Sequence, residues 1–159
     1  LEPKRRDLDL EDIKEQVNRS EEVKIRDLRE VPRDKIETLK EWQPDKTYRA
    51  TVKFEEGVPE DLEKLKELEG TVEQRTPSRV EHRRSDRIRK RKVKSVEWEK
   101  KNENTIELEV RAEAGTYIKE LISGDSGRTE PSVTSLFGNE AECTELDVVK
   151  IHDRDRLDL

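Results

Sequence analysis

The sequence predicts an α+β fold in which a mainly antiparallel sheet carries short helices. Several segments alternate apolar and polar residues, as half-buried strands do, and the clearest is Lys46–Phe54. Other segments repeat leucines at helical spacing after a proline. These strands and helices follow one another without the strict alternation that a parallel sheet requires, which favours helices packed on an antiparallel sheet.

Composition limits the classes of protein to which the chain can belong. Its 159 residues suit one compact domain or a large part of one, and 29% hydrophobic against 47% charged residues leaves little material for a core. Cys143 is the single cysteine, and His82 and His152 are the two histidines, so we expect neither a disulfide nor a metal site. No apolar run spans a membrane and no signal peptide is visible, so a cytoplasmic location is expected.

Local patterns in the N-terminal part of the sequence predict short helices and one strand. Residues 9–17 have helical spacing, residues 22–28 alternate like a strand, and Pro32 fits the first position of a second helix. Pro59 opens another helix, which ends at Gly70. The remaining predicted elements are a strand at 70–74, a hairpin of strands 88–98 and 106–112 around a turn at 101–104, a helix at 116–122, a loop at 123–127, strands at 133–136 and 146–151, and a tail at 153–159.

Positive charge is concentrated in residues 75–94, which we call the basic segment. Seven arginines and three lysines there face only Glu81 and Asp86, a net charge of +8, so the rest of this chain of net charge −6 carries −14. Guanidinium groups bind phosphate through two hydrogen bonds and stack on bases, so this pattern indicates a nucleic-acid surface. A solvated, charged strand of a heat-adapted protein is the structural alternative. The candidate RNA contacts are Arg79, Arg83, Arg84, Arg87, Arg89 and Arg91.

Short motifs in this sequence resemble those of pseudouridine synthases. GTYIK, followed one residue later by leucine, at residues 115–121 and KTYRA at residues 46–50 are similar to two motifs of the TruB-type enzymes. QRTPSRVEHRR at 74–84, GTYIKELISGDSGRTEPSV at 115–133 and TELDVVKI at 144–151 resemble the archaeal and eukaryotic family numbered ten among the Pus enzymes, over almost the whole chain. The resemblance implies part of a pseudouridine synthase catalytic fold that acts on uridine in the tRNA T-arm without a cofactor.

The resemblance also implies roles for three residues. Forming pseudouridine breaks the N-glycosidic bond, turns the base and rejoins it through C5, and the base must first leave its stack. Tyr48 would stack on the target base and assist removal of the C5 proton, Tyr117 would contact the substrate, and Lys119 would pair with the catalytic aspartate. Each has a structural alternative: packing in or beside the core for Tyr48, packing of the short helix for Tyr117, and ordinary exposure for Lys119.

The catalytic aspartate itself has no candidate in this sequence. The family carries it in a Gly-Arg-x-Asp motif, which does not occur in residues 1–159. We therefore expect residues 1–152 to be the C-terminal portion of the catalytic domain, with the nucleophile N-terminal to them, and the chain alone to be inactive. Two alternatives remain open: a non-catalytic RNA-binding module that uses the basic segment, and a protein-interaction domain whose charged hairpin binds an acidic partner.

Overall fold

The computed structural model describes residues 9–153, which fall into two compact units, 9–42 and 43–153. Of the tail expected at 153–159, only Asp153 lies among the described residues. None of the helices in the described range is both long and apolar enough to cross a bilayer. The domain boundaries expected from the sequence stay a prediction.

The first unit contains two short helices, α1 (Leu10–Asn18) and α2 (Asp34–Glu41). Asp9 caps α1, because its side chain accepts a 3.0 Å hydrogen bond from the backbone nitrogen of Glu11. The second helix begins at Asp34, two residues beyond Pro32, where the sequence placed its first position.

The strand predicted over residues 22–28 is wrong. Residues 23–25 are irregular, and the side chain of Asn18, the last residue of α1, binds the backbone of Ile25, seven residues further along the chain. Its Oδ1 accepts from the Ile25 nitrogen at 2.5 Å, and its Nδ2 donates to the Ile25 carbonyl at 2.8 Å. Because the Asn18 side-chain amide pairs with both the backbone nitrogen and the carbonyl of Ile25, Ile25 needs no neighbouring strand.

The second unit is built on a six-stranded antiparallel sheet with the strand order β5-β2-β3-β4-β1-β6. This confirms the α+β class and the β3–β4 hairpin around residues 101–104. The sixth strand starts five residues earlier than the sequence suggested. In chain order the strands are β1 (Lys46–Phe54), β2 (Gly70–Arg75), β3 (Ile88–Lys100), β4 (Thr105–Ala112), β5 (Thr129–Glu130) and β6 (Ala141–Ile151).

Helices cover one face of this sheet and enclose the core of the unit. They are a 3-10 helix (Leu62–Leu68) and the α-helices α3 (Ile118–Ser123) and α4 (Val133–Phe137). The helix expected to open at Pro59 is therefore a 3-10 helix that begins three residues later. We call the covered side of the sheet the core face and the other side the polar face; the core face carries alternate residues of β1 and β4, all fully or almost fully buried: Ala50, Val52, Phe54, Ile106, Leu108, Val110 and Ala112.

The strand predicted at 133–136 is also wrong, since those residues form α4. Ser132 and Ser135 make a reciprocal cap: the Ser135 nitrogen donates to Ser132 Oγ at 3.0 Å, and the Ser132 nitrogen donates to Ser135 Oγ at 2.9 Å. Val133 and Leu136, three residues apart, then face the core together. A cap and one helical turn account for the apolar pair that the strand prediction had used.

Asp45, just before β1, is the centre of a charge network. Its Oδ2 lies 2.5 Å from Lys94 Nζ and 3.4 Å from Arg111 Nη2, and its side chain is 12% exposed. Burial alone would raise the pKa of this carboxyl, but the hydrogen bond and charge of Lys94, with those of Arg111, lower it below its usual range. The network ties the start of β1 to β3 and β4.

The outer edge of β6 has no partner strand within the described residues. Its exposed apolar side chains include Val148 and Val149, which are 51% and 40% exposed. Charged residues interrupt the strand at Glu145, Asp147 and Lys150. The sheet therefore ends on this side in a long strand that is partly apolar and partly charged.

Replacement of Asp45 should destabilise the fold in a pH-dependent way. Asp45→Asn is expected to reduce the free energy of unfolding at pH 7 by about 1–3 kcal/mol, because charge-assisted hydrogen bonds to two cations are lost. Since the folded pKa is lowered, this stabilisation is complete above the unfolded carboxyl pKa of about 3.9 and disappears as the pH falls through the folded pKa. Urea denaturation from pH 3 to pH 8 measures the difference.

Glu99→Gln is the control for Asp45→Asn. The Glu99 carboxylate lies 3.2 Å from Lys101 Nζ but its side chain is 70% exposed, so its removal should change stability little at any pH. A loss in Asp45→Asn that stayed constant down to pH 3 would contradict a role for the charge.

Candidate active site and nucleic-acid interface

Tyr48 lies on the core face near the start of β1, opposite Val110 of β4 on one side and Val148 of β6 on the other. The ring is partly buried and packs against the core. Burial raises the pKa of its hydroxyl, so the group is protonated at neutral pH. Within the described residues this hydroxyl has no hydrogen-bond partner, which leaves it able to bind a ligand.

The second motif places α3 on the same face of the sheet. Ile118 and Leu121, 3% and 0% exposed, point into the core and fix the helix against it. Lys119 lies between them in sequence, is exposed, and forms no ion pair with any described residue. Tyr48 and α3, which contains Lys119 and has Tyr117 at its N-cap, thus share the core face. That these three side chains line one cleft stays a prediction.

A buried amide that the sequence reasoning missed holds Tyr117 in place. Gln74 of β2 is fully buried; its Oε1 accepts from the Tyr117 nitrogen at 2.9 Å, and its Nε2 donates to the Tyr117 carbonyl at 2.8 Å. The sequence did contain a sign of this contact: Gln74 lies two residues after Val72 in β2, so strand alternation places its polar amide in the core. Burying such a group without partners is costly, so it indicates a specific acceptor and donor nearby.

Arg79 joins the basic segment to α3. Its Nε and Nη2 lie 2.5 and 3.3 Å from the two carboxylate oxygens of Glu120, which is 5% exposed. The hydrogen bond to Glu120 raises the pKa of Arg79, and its guanidinium carbon lies 5.8 Å from the centre of the Tyr117 ring. Sequence reasoning missed Glu120, because a glutamate on a short, charged helix carries no sign of burial.

A second contact holds the same part of the basic segment. The backbone nitrogen of Ser78 donates to Asp125 Oδ2 at 2.9 Å, and its hydroxyl donates to Oδ1. Arg128 Nε lies 3.6 Å from the same carboxylate. Asp125 follows α3 in the chain, so these contacts join the basic segment to the loop after the helix.

Three of the candidate RNA-binding arginines face solvent. Arg83, Arg84 and Arg87 are exposed and form no ion pair within the described residues. Arg83 Nε donates to His82 Nε2 at 3.1 Å, so the histidine lies beside the arginines rather than at a site of its own. These three guanidinium groups face solvent without a carboxylate partner in the described part of the chain.

Arg89 and Arg91 of β3 point towards the core face instead. Arg89 is 9% exposed and donates from Nη1 to Thr76 Oγ1 at 2.9 Å, so it supports the fold. Arg91 lies against Gly115, and its buried Nε has no hydrogen-bond partner among the described residues. Gly115 has a φ of +84°, and a Cβ there would lie 3.2 Å from that Nε.

Metal ligands do not cluster among the described residues, and a cavity of the second unit lies apart from Tyr48, Tyr117 and Lys119. Among residues 9–153, no three His, Cys, Asp or Glu side chains converge to hold a metal ion. A cavity of about 620 Å³ lies beside the loop after α3, and its lining includes Glu55, Glu130 and Glu140. Tyr48, Tyr117 and Lys119 do not line it, and its acidic wall is unsuited to RNA.

Gly115→Ala should destabilise the chain for two separable reasons. The left-handed backbone costs about 1–2 kcal/mol for a residue with a Cβ, and the contact with Arg91 adds to that cost. The matched control is Gly127→Ala, which has a similar φ of +87° but nothing within 4 Å of the new Cβ. Denaturant unfolding should show the larger loss for Gly115→Ala, and an Arg91→Ala background should reduce the difference. Equal losses in both glycine variants would contradict the Arg91 contact.

Comparison with known proteins assigns the family. The family model described as "Pus10, C-terminal" matches residues 1–152. Two relatives named tRNA pseudouridine synthase Pus10 are similar to this chain. The one from Methanothrix thermoacetophila is 45% identical over 94% of the chain and 34% of its own length, and the one from Methanosphaera stadtmanae is 43% identical over 94% and 38%. The chain therefore spans between a third and two fifths of the length of these relatives.

A solved structure shares the fold. A chain of the structure titled "Crystal Structure of a Cbf5-Nop10-Gar1 Complex" superposes with a TM-score of 0.55 and 32% identity, over 68% of this chain and 31% of that one. Since the family model covers nearly all of the sequence and the relatives exceed 40% identity, this chain belongs to the Pus10 family and corresponds to its C-terminal part.

Proposed function

We propose that the protein to which this chain belongs is a tRNA pseudouridine synthase that acts on uridine in the T-arm, and that this chain supplies the C-terminal part of its catalytic domain. One observation carries the proposal: Tyr48 and α3, whose Lys119 forms no ion pair within residues 9–153, share one face of the sheet. The names of the relatives support the same activity. Its substrate is a cytoplasmic tRNA, and no cofactor is required.

Tyr48 is suited to hold and deprotonate the turned base. The reaction is an isomerisation: the bond from C1′ to N1 breaks, a bond from C1′ to C5 forms, C5 loses a proton and N1 gains one. The phenol ring offers a flat surface on which uracil stacks while it turns. Because the hydroxyl is neutral, it takes up the C5 proton only while it releases its own proton to water, so Tyr48 acts as a proton relay.

Lys119 supplies positive charge to the catalytic aspartate. An unpaired ammonium group beside a carboxylate keeps that carboxylate ionised in a site that excludes water. Because no Gly-Arg-x-Asp motif occurs in residues 1–159, we expect this chain by itself to bind substrate without converting it.

The exposed part of the basic segment is the proposed tRNA surface. Arg83, Arg84 and Arg87 are available for phosphates, and Arg79 retains an Nη1 group beyond its pair with Glu120. Arg89 is omitted because its guanidinium group is buried. The same exposure supports a second candidate function, a non-catalytic RNA-binding module, which needs these arginines but not Tyr48.

Tyr48→Phe tests the enzymatic proposal. In the full-length protein the variant keeps the stacking surface but loses the hydroxyl, so the rate of tritium release from C5-labelled uridine in tRNA should fall by a factor on the order of 10²–10⁴. Its affinity for tRNA should change little. Trp98→Phe is the control, since Trp98 is another partly buried aromatic packed against the core.

Two outcomes would count against the enzyme. Full activity in Tyr48→Phe would show that the Tyr48 hydroxyl does not take part in proton transfer. Tight tRNA binding by the full-length wild type without tritium release would favour the RNA-binding module instead.

Removal of the exposed arginines should weaken tRNA binding in a salt-dependent way. The variant with Arg83, Arg84 and Arg87 changed to glutamine should lower the slope of log K against log salt by up to about 0.9 for each phosphate that is no longer neutralised. Filter binding between about 50 and about 200 mM salt measures this slope. The control changes Arg49, Lys53 and Lys100, three exposed cations outside the basic segment. Equal slopes for the two triple variants would contradict the proposed surface.

A further inference from the structure

The 3-10 turn at Ser78–Val80 is attached both to α3 and to the loop that follows it. Arg79 binds Glu120 within the helix, and Ser78 binds Asp125 just beyond it. This part of the basic segment is therefore not a free arm. Its position and that of α3 are fixed with respect to each other.

The chemistry of Glu120 explains why Arg79 stays in place. A carboxylate that is 5% exposed needs a compensating charge with well-directed donors, since burial of an unpaired charge is very unfavourable. Arg79 provides two such donors while its own side chain remains 49% exposed. The pair thus has one buried and one accessible member, and only the accessible member can meet RNA.

The same guanidinium restricts Tyr117. Gln74 holds the backbone of Tyr117 on both its nitrogen and its carbonyl, so only the side-chain torsions remain to be defined. The guanidinium carbon of Arg79 lies 5.8 Å from the centre of the ring, within the range of a cation–π contact. Because Glu120 holds the guanidinium group, it also limits the orientations that the Tyr117 ring can adopt.

We infer that Glu120 is a positioning residue: through Arg79 it sets the orientation of the Tyr117 ring in the uridine site, and it links tRNA contact by the basic segment to the geometry of that site. This inference rests on the proposed function. Glu120 touches neither the RNA nor the reacting atoms. The effect belongs to the rate of conversion of bound tRNA, because a ring held in the productive orientation lowers the entropy cost of reaching the transition state.

The test separates the rate of conversion from binding and from stability. In the full-length protein, Glu120→Gln should reduce the single-turnover rate of pseudouridine formation at saturating tRNA by between about 10- and 100-fold. Its Kd for tRNA should stay close to that of the wild type, and the fall in its thermal midpoint should leave the protein folded at the assay temperature. Arg79→Lys should show the same pattern, since it leaves a cation opposite Glu120 but lacks the planar, two-donor group.

Asp86→Asn is the matched control. Asp86 also holds an arginine of the basic segment through both carboxylate oxygens, at 2.9 and 3.1 Å from Arg75 Nε, but this pair does not touch Tyr117. It should leave the single-turnover rate unchanged. If Glu120→Gln does not fold, the comparison of Arg79→Lys with Asp86→Asn decides the question.

Each remaining outcome overturns a defined statement. An unchanged rate in Arg79→Lys, or equal loss of rate in Asp86→Asn, would refute the positioning role. Weaker tRNA binding with an unchanged rate at saturation would assign the pair to docking alone. Absence of product from the wild type would instead refute the proposed function, so the two failures are distinguishable.

Discussion

The two hydrogen bonds between the buried Gln74 amide and the backbone of Tyr117 are the constraint on which the candidate site depends. The α3 helix has six residues, too few to be stable without tertiary contacts. Burial of Ile118 and Leu121 holds it against the sheet but leaves it free to slide and rotate on an apolar surface. Directed hydrogen bonds at its first turn remove that freedom, because their geometry is lost within a fraction of an ångström. The placement of Lys119 and Glu120 follows from this anchor.

The arginines of the basic segment differ in burial, and their structural roles differ accordingly. Arg89 is enclosed and binds Thr76, while Arg91 lies over Gly115. Arg79 is shared between the protein and the solvent. The arginines of the basic segment are alike in charge but differ in burial: those in β3 pack against the fold, and those before β3 are exposed. The charge count in the sequence overstates the number of guanidinium groups that face solvent.

Local patterns predicted the elements whose signal is local. Alternation identified β1 and the β3–β4 hairpin, because one face of each strand is buried and the other is not. Alternation failed where a segment is short: α4 has five residues, and its capping serines were a better guide than its apolar pair. The contacts of Gln74 and Glu120 join residues 43 and 41 positions apart, so no local pattern contains them. The motifs supplied Tyr48, Tyr117 and Lys119, and the polar residues that hold them became visible only in the fold.

The long outer strand of the sheet has a consequence for the behaviour of the chain at high concentration. An open edge with valines is a template on which a second copy can add a strand. In β6 the valines are flanked by Glu145, Asp147 and Lys150, and the carboxylates outnumber the cation. Two such edges repel each other while the carboxylates are ionised, and this repulsion weakens when they are protonated or screened by salt. The charges that oppose edge-to-edge pairing thus lie on a few side chains at one margin of the sheet, and their effect is independent of how firmly the core is packed.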